Sequence, residues 1–138
     1  MWVSKLLVIT ALTFALWSAG TTPGAPAPQR SLHGAWVQGK ELCQEVFTSV
    51  GRAIAFKKPV DAFSPAFIIS AKQIRTPLAS CRIQKEKNSG GRRILSLACA
   101  TSVSVTDVKA DLEVLEDGSS RRYLNEHDNV GRKYERCP

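Results

Sequence analysis

Two strand-like runs meet at Asn88-Ser89-Gly90-Gly91, and each carries a cysteine at the same distance from the turn. Cys81 and Cys99 are symmetric about residue 90, so an antiparallel hairpin in that register sets them face to face, with Ile83 opposite Leu97. Side chains alternate faces along a strand, so Cys81, Ile83, Leu95, Leu97 and Cys99 share one face. A bond between the two sulfurs would fix the register, and a slip of one residue would turn the whole apolar set outward.

The sequence holds four cysteines, all beyond the first forty residues, which fits an oxidising compartment. Three pairings are open. The hairpin register predicts Cys81–Cys99 and leaves Cys43–Cys137. The second bond would join the first strand to the last and close a loop of about 95 residues, worth on the order of 4–5 kcal/mol in chain entropy. Such staples matter in a body of about 110 residues, whose core is modest. A metal site is disfavoured: the cysteines are far apart in sequence, and His33 and His127 lie near none of them. No cofactor is expected.

The start of the chain reads as a leader. Lys5 precedes the uncharged, mostly apolar run Leu6–Trp17, and small residues follow in Ser18-Ala19-Gly20 and Ala25-Pro26-Ala27. A basic tip, a short apolar centre and a small-x-small site describe a secretory signal peptide. The run falls short of the roughly 20 residues of a membrane span. Residues 1–27 are therefore read as signal peptide and leader remnant, 28–33 as a flexible tether, and 34–138 as a single β domain. No membrane span is expected in the mature chain, and a periplasmic or secreted location follows.

Beyond the leader, short apolar runs alternate with turn signals. Strands are predicted near 32–37, 53–56, 67–70, 73–75 and 132–137, besides the central hairpin. Residues 41–47 read as a continuation of the first strand or the next one, and 41–50 also admits a short helix. Apolar residues fall at odd numbers through Val103 and Val105, then at even numbers from Val108, which predicts a turn or bulge near Thr106-Asp107. Glu116-Asp117-Gly118-Ser119 predicts a hairpin with a primed turn. The expected inward residues are Trp36, Phe47, Ile54, Phe56, Ile68 and Ile83 from the first half. Leu95, Leu97, Val103, Leu112, Val114 and Tyr134 complete the set.

The net charge is +7, with 19 basic and 12 acidic residues, and only Lys5 is lost with the leader. The basic residues include four adjacent pairs: Lys57-Lys58, Arg92-Arg93, Arg121-Arg122 and Arg132-Lys133. They read either as solvated charges that discourage edge pairing or as contacts for an anionic surface such as lipid headgroups or acidic polysaccharide. Nucleic acid is disfavoured, because no aromatic ladder is interleaved with the basic residues.

No serine sits in a Gly-x-Ser-x-Gly elbow, and His127 lies in the polar run Glu126-His127-Asp128. Without a nucleophile, base and orienting group in view, catalysis is not expected. Leu32-x-Gly34-x-Trp36 resembles the opening of the calycin superfamily, which includes lipocalins, avidins and certain secreted metallopeptidase inhibitors. That resemblance implies a barrel whose glycine admits a bend, whose tryptophan plugs one end, and whose late-strand cation, Arg132 or Arg136, stacks on the plug. The wider pattern resembles small exported four-cysteine β proteins of Gram-negative bacteria, including the terminal Tyr134-Glu135-Arg136-Cys137. It implies a fold and a compartment, not an activity.

The expected fold is all-β: a small antiparallel meander closing into a barrel or strongly curved sheet of about six to eight strands, with two disulfides. The expected function is an exported, non-catalytic binding module. Its partner is left open among an anionic surface, a small apolar ligand and a secreted hydrolase. An inhibitor of a secreted peptidase or lysozyme-like hydrolase is the alternative, with the tether reaching an active site. A barrel of this size is expected to be filled by its own side chains, so binding is expected at a rim rather than in a deep cavity. N-terminal sequencing of the exported product should find a start after one of the two small-x-small sites; a start at Met1 would overturn the secretion reading.

Overall fold

The alternation around Cys81 and Cys99 continues until the sheet meets itself. The computed structural model describes residues 30–138, and the leader read over 1–27 lies outside them. The described strands are β1 (Gly34–Val37), β2 (Phe47–Val50), β3 (Ala53–Phe56), β4 (Ala66–Ile69), β5 (Gln73–Arg75), β6 (Ser80–Ser89), β7 (Arg92–Ala100), β8 (Val105–Val114), β9 (Ser120–Tyr123) and β10 (Arg132–Cys137). Eight of them close into an antiparallel barrel in the order β1-β10-β9-β8-β7-β6-β5-β4, while β2 and β3 pair only with each other. From β4 to β10 the path is the expected meander, and β1 closes the seam between β10 and β4.

The hairpin register holds where it was read: Cys81 pairs with Cys99 and Ile83 with Leu97. Both expected disulfides form, Cys81–Cys99 and Cys43–Cys137. Past Ile83 the register shifts, because Gln84 is an extra residue on β6, and Ser89 then pairs with Arg92. The turn is thus the two-residue Gly90-Gly91, with φ of 56° and 86°, a primed turn rather than one centred on residue 90.

Three local expectations are corrected. The phase slip after β7 is made by the turn 101–104, not at Thr106-Asp107. There the Thr101 hydroxyl oxygen accepts from the N–H of Val103 and Ser104. Val103, expected inside, sits on that turn and is 91% exposed. The Asp117-Gly118 hairpin uses a three-residue loop in which Gly118, not Asp117, takes positive φ. Of the readings of 41–50, the short helix is the one that forms: a 3-10 turn (Lys40–Leu42) leads into α1 (Cys43–Val46), so 41–46 do not extend β1, and β2 starts at Phe47.

The barrel separates two cores. Inside lie Trp36, Phe67, Leu95, Leu97, Leu112 and Tyr134. Outside, α1 and the β2–β3 hairpin cover the outer faces of β1, β4 and β10, and bury Val37, Cys43, Phe47, Ile68 and Cys137. All of β4 is buried, since both of its faces are covered. Phe47, Ile54, Phe56 and Ile68 therefore belong to this outer core and not to the barrel interior. Their expected placement was half right: they are apolar contacts, but on the other side of the sheet.

The chain ahead of β1 closes one end of the barrel. It has no strand partner, so its carbonyls take side-chain donors. Arg93 Nη2 donates to Arg30 O at 3.0 Å, and Trp36 Nε1 donates to Leu32 O at 2.9 Å. Arg136 donates Nη2 to Ser31 O at 2.6 Å and Nη1 to His33 O. The same guanidinium lies over the Trp36 ring, 4.3 Å from its centroid. Leu32 is 3% exposed in the inner core, so the segment read as a tether is fixed from Ser31 onward. Gly34 has φ of 137°, and a Cβ there would stand 3.0 Å from Arg136 Nη1, which leaves glycine as the residue that fits. Arg136, not Arg132, is the stacked cation.

Arg136→Met keeps much of the aliphatic stem but removes the cation and both carbonyl bonds. Urea unfolding should show a loss of about 2–3 kcal/mol, with a shift in Trp36 emission. A change under about 0.5 kcal/mol would mean the plug holds without it.

Candidate functional site

With one end plugged, the inward side chains change size along the barrel axis. Near the plug they are large, and the Trp36 and Phe67 rings lie 6.4 Å apart with Phe67 and Tyr134 at 4.8 Å. Towards the other end the wall is built from Ala79, Cys81, Cys99, Thr106 and Ala110. Small residues leave space, and a cavity of about 310 Å³ runs from a floor of Phe67, Ile74 and Leu112 to the connections holding Thr76 and Thr101. The expectation of a filled interior is corrected. Eight strands can hold one small ligand, and this volume is at the lower end for small-molecule sites. The sequence carries no period or motif for such a space, which exists only once the sheet closes.

The open end is apolar at its rim. The connections at that end are 57–65, 76–79, 101–104 and 124–131, as strand alternation from the plugged end requires. Each carries a large exposed apolar side chain: Phe63, Leu78, Val103, and both Leu124 and Val130.

Two charged residues border the cavity: Lys109, whose side chain lies on the outward phase of β8, and Arg122. Arg122 pairs in register with Leu112 on one side and with Arg132 on the other. Leu112 and Tyr134 face inward, so Arg122 and Arg132 both lie on the inward phase of the sheet. Neither side chain has a hydrogen-bond or ion-pair partner among the described residues.

The other expected anionic-surface contacts do not gather into one patch. Alternation sends the two members of each strand pair to opposite faces. Lys57 Nζ donates to Gln44 O at 2.6 Å and braces the outer layer, and Lys58 is exposed in the following loop. Arg93 is used at the plug, and it also lies 3.6 Å from Glu86. Arg121 donates to Val130 O at 3.4 Å. Lys133 sits 3.2 Å from both Asp117 and Glu135, and these partners raise its pKa. The reading of these pairs as edge protection does not carry over to the barrel strands, since a closed sheet has no edge.

One polar cluster lies on the outer face of β8 and β9, and no motif in the sequence marks it. The Arg92 guanidinium covers the Tyr123 ring at 3.5 Å, lies 3.4 Å from Asp111, and donates to Asp128 O at 2.7 Å. The Tyr123 hydroxyl donates to Glu113. Burial first, then Glu113, pushes the tyrosine's pKa above its usual value. Asp128 organises the loop 124–131: its carboxylate accepts from the N–H of Leu124, Val130 and Gly131. The cluster braces a loop and encloses no space for a substrate.

No protein family, no curated protein and no solved structure matches this chain. No group of three or more histidine, cysteine or acidic residues able to hold a metal occurs among the described residues. No helix among them is long and apolar enough to cross a membrane.

Two carboxylates make stability depend on acid. The Gly131 N–H, followed by those of Leu124 and Val130, lowers the Asp128 pKa. The Ser119 hydroxyl and N–H, then Lys133, lower Asp117 from 3.8 to about 2. A depressed folded pKa means the contribution is complete above the unfolded value and is lost as pH falls through the folded one. The Tm should therefore fall continuously from about pH 5 towards about pH 2, and Asp128→Asn should flatten that fall. An unchanged slope in the variant would remove Asp128 from the account.

Proposed function

We propose that this protein is an exported, non-catalytic binding module that takes a small apolar ligand into the open end of its barrel. The cavity of about 310 Å³ carries the reading: its wall is mostly apolar, it is closed at the tryptophan end, and exposed apolar side chains surround its mouth. Two disulfides fit an oxidising compartment, in keeping with the leader.

A calycin-like kinship belongs to the same proposal. What supports it is the packing at the plugged end, where Leu32 is buried, Gly34 makes room for Arg136 and Trp36 lies beneath that guanidinium. The non-catalytic part rests on the reactive residues in view. His33 belongs to the plugged end, His127 to a loop at the open end, and all four cysteines are bonded.

The inhibitor alternative depended on residues 28–33 reaching out to a hydrolase. The carbonyls of residues 30–33 are bonded to Arg93, Trp36 and Arg136 instead, so the binding reading is preferred. Enzyme assays with a panel of secreted peptidases and lysozyme-like hydrolases should find their rates unaffected.

Filling the cavity tests the reading directly. Decanol should raise the Tm of the protein, and Ala110→Phe should weaken decanol binding at least about tenfold while preserving native near-ultraviolet dichroism. Ala110→Leu should have a smaller effect in the same direction. Absence of any decanol effect on the unmodified chain would overturn the proposal.

A further inference from the structure

The geometry points to Arg122 and Arg132 as a subsite for the single anionic head of an amphiphile whose apolar chain occupies the cavity. The inference rests on the binding reading above and names the class of ligand. Two observations meet at this place. Arg122 lines the cavity. Arg132 is its direct partner across β9 and β10, and paired residues in antiparallel strands have Cα atoms about 4.5–5.5 Å apart. Like charges placed directly opposite each other are destabilising.

Both arginines are exposed to solvent, and no acidic side chain on the inner face pairs with them. The inward residues of β8 are Thr106, Val108, Ala110, Leu112 and Val114, none of them acidic. The carboxylates of Asp111 and Glu113 belong to the opposite phase and are used by Arg92 and Tyr123. Glu86 shares the inward phase through its pairing with Leu95, but it lies beside Arg93 near the plug. Arg92, Arg93 and Arg136, by contrast, all bind carbonyls or carboxylates.

Two adjacent guanidiniums next to apolar space suit a carboxylate, because each offers a fork of N–H donors and an anion between them cancels the repulsion. A neutral head of the same length would leave both cations uncompensated. The ligand class is therefore a single-chain monoanionic amphiphile, with its tail against Leu112 and Phe67 and its head at β9–β10.

The test compares decanoate with decanol by calorimetric titration of the unmodified protein, Arg122→Met, Arg132→Met and the double variant. Decanoate should bind the unmodified protein about tenfold or more tightly than decanol, with the preference shrinking as salt is added. The ratio of the two affinities should fall in each single variant and approach one in the double variant. Decanol binding by the variants shows that the cavity is intact. Equal affinity for the two ligands in the unmodified protein, or an undiminished ratio in the double variant, overturns the subsite and leaves the binding module standing. Failure of both ligands to bind the unmodified protein overturns the binding module, and this inference with it.

Discussion

Arg136 joins the two ends of the folded chain with one side chain. It comes from the last strand, lies over the ring of Trp36 on the first, and bonds two carbonyls of the segment that precedes it. That segment crosses the barrel end without a strand partner, and at its buried residue, Leu32, an unpaired carbonyl would be expensive. Four successive carbonyls, from Arg30 to His33, find donors in three side chains, and each donor belongs to the barrel wall. The plug and the β1–β10 seam thus support each other. A closed barrel brings Arg136 to Trp36, and their contact anchors the chain ahead of β1 over the end that the strands leave open.

The plug also decides where the second core must go. Alternation along β1 turns Trp36 inward and sends Ala35 and Val37 outward, and β4 repeats the pattern with Phe67 inward and Ile68 outward. An outward apolar face needs a cover. The chain supplies it by leaving the barrel after Val37 and returning at Ala66, with α1, β2 and β3 in between. Each core then has its own disulfide, Cys81–Cys99 inside and Cys43–Cys137 outside. The outer bond ties the covering layer to β10, the strand that also carries Arg136.

Much of this architecture was legible in the residues. The symmetric placement of Cys81 and Cys99 specified a register, the register specified both disulfides, and the turn spacing specified an all-β meander that closes. Alternation says which residues share a face, but not which face is inside. Phe47, Ile54, Phe56 and Ile68 therefore read as buried, and only the closed sheet places them in the outer core. Val103 was misplaced because its turn has neither glycine nor proline and is held by the Thr101 hydroxyl. Gln84 left no trace, since a bulge in a polar stretch breaks no apolar pattern. The cavity was illegible for another reason: it follows from the size of side chains that come together only when distant strands meet.

That difference in size bears on why a disulfide sits where it does. A barrel this small would gain stability by filling its interior, and leucines at 81 and 99 would suit the register and the burial. The cysteines at those positions are small, and their bond crosslinks β6 and β7 without occupying the axis. Their sulfurs form part of the cavity wall, together with Ala79 and Ala110. A loop of 18 residues closed by a disulfide contributes about 3 kcal/mol in chain entropy. This is comparable to what a buried leucine side chain would supply. The inner disulfide can therefore replace packing as the source of local stability, and it lets the open half of the barrel keep space that a filled core would have removed.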